Sequence, residues 1–239
     1  MKRRFAISLV LLLPFTAAAS NLGDWLKTQL RQESADNALD PDTAAAGIRQ
    51  ALEQGTQRAV SSLGRVNGYF GNPRVKIPLP DSLIQVDKAL RVLGQGKVAD
   101  DFVLSMNRAA EAAAPQATAI FLQVIRNMSV KDAIGIVRGP DDAATTYFRA
   151  HSESALRDRF RPIIAAATDK VGVTRRYKQL LKQAGPVSSF LDTGKLDLDD
   201  YVTRKALDGL FLLVADEEKR IRQDPVARST ELLREVFGK

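Results

Sequence analysis

Few side chains in this sequence are equipped for chemistry. There is one histidine, His151, and no cysteine, so thiol nucleophiles, disulfides, H-E-x-x-H zinc sites and three-histidine metal centres are excluded. No G-x-x-x-x-G-K-S/T or G-x-G-x-x-G string occurs, which removes the common phosphate-cradling loops. A helical register over residues 142–151 puts His151 with Ala143, Ala144, Tyr147 and Phe148 on one apolar arc, and no G-x-S-x-G elbow accompanies it. The expectation is a histidine facing the core rather than a triad base. Asp197, Asp199 and Asp200 cluster ahead of a helical pattern. The ligand spacing and the glycine of an EF-hand both fail there, so these carboxylates are expected to cap a helix N-terminus. Neither a metal nor a cofactor is expected.

The carboxylates offer a sharper candidate. With Tyr201 at 0° and 100° per residue, Leu210, Leu213, Val214 and Ile221 share an apolar arc, and Glu217 falls in its middle at about 160°. A carboxylate there must be paired or hydrogen-bonded, because an isolated buried charge costs several kcal/mol. The expected partner is an arginine of another helix, Arg108 or Arg149, with Asn107 and Glu111 at the edge of an apolar face one turn apart. That cluster is either a structural tie or a polar site that reads a ligand. Tyr69 and Phe70, flanked by Gly68 and Gly71, form a second candidate, a binding loop. A third is a run of eight cations and two anions from Arg157 to Lys182, opposed by an acidic stretch from Asp192 to Glu218. It is either a surface for an anionic lipid or an envelope protein, or one side of an antiparallel helix pair whose opposite charges face each other.

These residues must be positioned by helices. The apolar period is 3.6 nearly everywhere after residue 20, with Pro41, Gly64, Gly94, Gly139 and Gly185-Pro186 as start and stop signals. Helices are expected around Leu22–Leu30, from Pro41 to Gly64, over Leu83–Leu93, on both sides of a break at Pro115, after a Ser129–Asp132 cap, over 141–150 and 152–170, around Val173–Ala184, from about Asp199 to Gln223 and from Pro225 to Phe237. Only residues 67–80, NGYFGNPRVKIPLP, depart from this pattern. Val75, Ile77 and Leu79 alternate, but Pro78 and Pro80 forbid a central strand, so at most a short edge hairpin forms. The fold class is all-α, a single compact multi-helix domain over residues 20–239.

Ahead of it, Lys2, Arg3 and Arg4, the apolar run Phe5–Leu13 and Ala17-Ala18-Ala19 have the three parts of a secretory signal cleaved after Ala19. The expected location is periplasmic. The apolar run is far short of the ~20 residues needed to span a bilayer. The chain carries a net charge of +7, of which Lys2, Arg3 and Arg4 supply three, so the mature +4 does not point to nucleic acid.

The ordered strings GYFGNPRVKIPLP, MNRAAEAAAPQA, DDAATTYFR, FRPII, YVTRKALDGLF and ADEEKRIRQDPVARSTELLREVFG run through almost the whole mature chain. In these the sequence resembles the bacterial domain-of-unknown-function family numbered 4197. The resemblance implies an exported helical domain. Many members of that family carry a lipobox cysteine, and this chain departs from them in having none. The resemblance transfers no catalytic residue. Three functions are therefore set against each other: a non-enzymatic binding or interaction module of the cell envelope, a cell-wall hydrolase using Glu111 or Glu217 as acid or base, and a carrier of a lipid or other apolar ligand.

Overall fold

The structure, a computed structural model, describes residues 41–170 and 197–223. The expected signal sequence and the helices expected around Leu22–Leu30, Val173–Ala184 and Pro225–Phe237 lie outside the described residues. Seven α-helices occur among those described: α1 Pro41–Gly64, α2 Ile84–Val92, α3 Gly96–Ala113, α4 Ala117–Asn127, α5 Val130–Arg138, α6 Ala143–Lys170 and α7 Leu198–Gln223. Short 3-10 turns at Asp81–Leu83 and Ala114–Gln116 lead into α2 and α4. The all-α expectation holds, and no strand occurs among the described residues.

The boundaries follow local chemistry. Pro41 opens α1, where its missing N–H costs nothing, and Asp42 complements the dipole of the first turn. Pro115 turns the chain between α3 and α4 by way of the 3-10 turn. Ser129 accepts from the Asp132 N–H while the Asp132 carboxylate accepts from the Ser129 N–H, a reciprocal capping box that starts α5. Gly94, at φ +73°, lets α2 turn sharply into α3. The helices expected at 141–150 and 152–170 are one continuous element, α6. Its core stripe recurs every fourth residue at Ala144, Phe148, Ser152, Leu156, Phe160 and Ile164. Ser152 gives its hydroxyl to the Phe148 carbonyl and so stays inside without an orphaned donor.

α6 packs on α7 and α3, and α1 packs on α4, α5 and α7. At the centre Phe121 of α4 meets the rings of Phe148 (5.2 Å) and Phe211 (6.2 Å) edge to face. Arginines close two helix ends: Arg49 of α1 donates to the Met128 carbonyl after α4, and Arg222 of α7 donates to the Ile136 carbonyl of α5. No helix among the described residues is long and apolar enough to cross a membrane.

Candidate functional site

The expected edge hairpin does not form. Residues 65–75 make a series of turns and residues 76–80 run extended with no strand partner. The physical reason is Asn107. Its buried side chain accepts from the Ile77 N–H (2.9 Å) and donates to the Ile77 carbonyl (2.8 Å), doing for one residue what a neighbouring strand would do. Pro78 and Pro80 have no N–H to satisfy.

A second anchor holds the turn itself. Buried Glu111 accepts the N–H groups of Tyr69 and Phe70 on one oxygen, both at 3.1 Å, and the Arg108 guanidinium on the other. Arg108 also reaches the side-chain oxygen of Asn67, which sits at φ +64° in the left-handed region. Tyr69 is fully buried and donates its hydroxyl to the Ala206 carbonyl at 2.7 Å. Burial, and then the nearby Glu111 charge, push its phenol far above the ordinary range. Gly209 of α7 makes this seating possible, because a Cβ there would come within 2.9 Å of Tyr69 Cε1 and 3.1 Å of Val75 Cβ. Arg74 and Asp216 form a two-pronged ion pair between the loop and α7, and the Tyr201 hydroxyl donates to the Pro78 carbonyl.

With Tyr69 fixed inside, its neighbour Phe70 stays half-buried at the surface, with Lys76 Nζ 4.3 Å from its ring centre. Phe70, Lys76, Pro78 and Leu79 form one wall of an open groove of about 670 Å³. Asp81 ahead of α2, Ile84, Asp87 and Arg91 of α2, and Asp100 and Val103 of α3 form the rest. Ile84 is 41% exposed, one of the few large apolar side chains left to solvent among the described residues. Arg91 lies between Asp87 and Asp100, so much of the rim charge is neutralised within the protein.

The structure therefore splits the two sequence candidates differently from expectation. Asn107, Arg108 and Glu111 belong with Tyr69 and Phe70, as the anchors of the loop. Glu217 and Arg149 do not join them. Glu217 is partly exposed and pairs with Arg58 of α1 (2.8 Å) and with Arg220 on its own helix (2.7 Å). Arg149 lies over the Phe211 ring at 4.4 Å and within 3.9 Å of Asp208.

The buried carboxylate is the next residue, Glu218, which accepts from the N–H groups of Ala144 and Thr145, the Thr145 hydroxyl and Arg222. It thus caps the start of α6 from another helix, while Arg222 closes the end of α5. The helical wheel misplaced the site by one residue because an apolar arc does not say what packs on it: Glu218 meets the start of α6, while Glu217 meets Arg58 of α1 nearer the surface.

His151 is also displaced from its expected place. The four-residue core stripe of α6 leaves Tyr147 and His151 to one side, where their rings stack at 4.1 Å and His151 is exposed. Asp197 caps α7 by accepting the Asp200 N–H at 2.9 Å. Within the basic run Arg157 faces Asp200 and Arg161 faces Asp197 across the α6–α7 seam, while Arg159 donates to Gln116 and residues 171–182 lie outside the described residues. Among the described residues no group of three or more acidic or histidine side chains could hold a metal ion.

These elements define an all-α protein built around one clamped aromatic loop. A family model described as protein of unknown function (DUF4197) matches residues 38–238, and the chain belongs to that family. No curated protein and no solved structure matches it.

Proposed function

We propose that this chain is an exported, non-enzymatic binding module of the cell envelope whose protein partner is held in the groove at Phe70. The observation that carries the reading is the cost of presenting that ring. Two buried side chains, Asn107 and Glu111, and a buried tyrosine hydroxyl are all committed to fixing the backbone of residues 69–77. An aromatic side chain held rigidly at the edge of an apolar groove loses little entropy on binding. The tripartite N-terminal segment supports export to the periplasm.

The two rival readings fit less well. Both oxygens of Glu111 are engaged by backbone and guanidinium donors, and Glu217 is shared by two arginines, so neither is placed to exchange a proton with a glycan. The Phe70 groove is open and rimmed by charged side chains, which suits a surface contact better than an enclosed acyl chain, and the apolar cavity beside Glu218 has a volume of about 20 Å³, room for one water.

Two measurements test the proposal. Intact mass of the chain recovered from the periplasm should correspond to residues 20–239, and retention of Met1 counts against export. A photocrosslinking amino acid at position 70 should give a discrete protein adduct in cells, while the same group at Ala150, exposed on α6, should not. Phe70→Ala should abolish partner recovery with its melting temperature nearly unchanged. Equal labelling from both positions, or a Phe70→Ala chain that keeps its partner, overturns the reading.

A further inference from the structure

A separate pocket, sharing no residue with the Phe70 groove, opens between α4, α5 and α6. Its volume is about 340 Å³, and its walls include Ile120, Val124, Asp132, Tyr147, His151 and Ala155. Three polar atoms in it share one property. The His151 Nδ1 lies 2.8 Å from the Tyr147 carbonyl, which can only accept, so Nδ1 carries the proton and the Nε2 of the neutral ring is left with a lone pair. Tyr147 lines the same pocket, and its phenolic oxygen can accept. Asp132 accepts from the Ser129 hydroxyl (2.6 Å) and N–H, and these bonds hold its carboxyl below the usual range. The pocket thus offers acceptors, a negative charge, the side-chain amides of Gln123 and Asn127, the faces of two stacked rings and an aliphatic wall.

We infer that this pocket binds a small primary alkylammonium, its three N–H groups shared among the Asp132 carboxylate, the Tyr147 oxygen and His151 Nε2, its alkyl body against Ile120 and Val124. Charge opposition favours a cation over an anion, and the adjacent rings add cation–π attraction. A guest without N–H donors leaves the acceptors unpaired and gains only the aliphatic contact.

His151 is the only histidine in the chain, so its ring protons give an unambiguous magnetic-resonance signal. The full chain is titrated at pH 8 with n-butylammonium chloride, and in parallel with n-butanol, glucose and sodium chloride. The expected result is a saturable shift of the His151 ring signals with the amine alone. Asp132→Asn, which keeps an oxygen to cap α5, should weaken that binding about tenfold or more by removing the charge. Tyr147→Phe, which touches no cap, should weaken it as well and serves if the first variant loses its helical spectrum. A shift that does not saturate, one equalled by n-butanol or glucose, or one unchanged in the folded variants overturns the assignment.

Discussion

Glu218 and Glu217 are neighbours with opposite duties. Glu218 satisfies three donors at the start of α6 together with Arg222, all inside the protein. A glutamine there must point its NH₂ at one of those donors, so Glu218→Gln is expected to cost about 2–4 kcal/mol, the range for breaking a buried, hydrogen-bonded charge. Glu217→Gln leaves partly exposed arginines and should cost less than about 1 kcal/mol. Urea denaturation of the two variants checks the ranking, and equal midpoints would mean that Glu218 is not the cap of α6. Tyr69 supplies a prediction in pH. Its phenol is raised in the folded state above an ordinary value of about 10, so above that pH the unfolded chain releases a proton that the folded chain retains. Stability is therefore full below about pH 10 and falls as the pH rises beyond it. Tyr69→Phe should lose about 1 kcal/mol at neutral pH with the Ala206 hydrogen bond, and its alkaline decline should be shallower. Parallel slopes in the two proteins between pH 9 and 11 would contradict this.

Two glycines on helices α5 and α7 test how tightly the elements are fitted. Gly209→Ala drives a methyl against Tyr69 and Val75, and the overpacking, about 1–3 kcal/mol, should outweigh the better helix propensity of alanine. A methyl at Gly135 of α5 would meet nothing within 4 Å, so Gly135→Ala should gain about 0.5–1 kcal/mol. Thermal melts of both should move in opposite directions. Elements were also the most legible feature of the sequence. Pro41, Gly64, Pro115 and the Ser129–Asp132 pair act locally, within one turn, and their consequences can be read without knowing any neighbour. What escaped was set at a distance. Nothing near Ile77 announces that Asn107, thirty residues away, will pair with its backbone and remove the need for a strand. Tyr69 and Phe70 were singled out as a pair, but which ring turns inward depends on the space left by Gly209. The exposure of His151 likewise depends on a core stripe of period four, whose drift relative to 3.6 residues per turn only the packing of α6 decides.

Across the whole molecule, opposite charges on α6 and α7 face each other, at Arg157–Asp200, Arg161–Asp197 and Arg149–Asp208. All are at least partly exposed, so each contributes less than about 1 kcal/mol. Raising the ionic strength from 0.1 to 1 M shortens the screening length from about 10 to about 3 Å. The melting temperature should then fall by no more than a few degrees, because the stability resides in the apolar core. A fall of ten degrees or more in sodium chloride would show that the seam is held by charge.

The clamp on the aromatic loop has a consequence in time. Tyr69 closes on Ala206, and Arg58 on Glu217, across 137 and 159 residues of chain. A polypeptide emerging from its N-terminus has made α1 and the loop long before their partners exist, and long-range closures of this kind form late. Until α7 arrives, Tyr69 has no carbonyl to receive its proton, α6 has no carboxylate at its start, and the loop is an aromatic, proline-rich segment open to proteases and chaperones. A fragment ending at residue 196 should therefore be cut rapidly between residues 65 and 80, where the full chain resists.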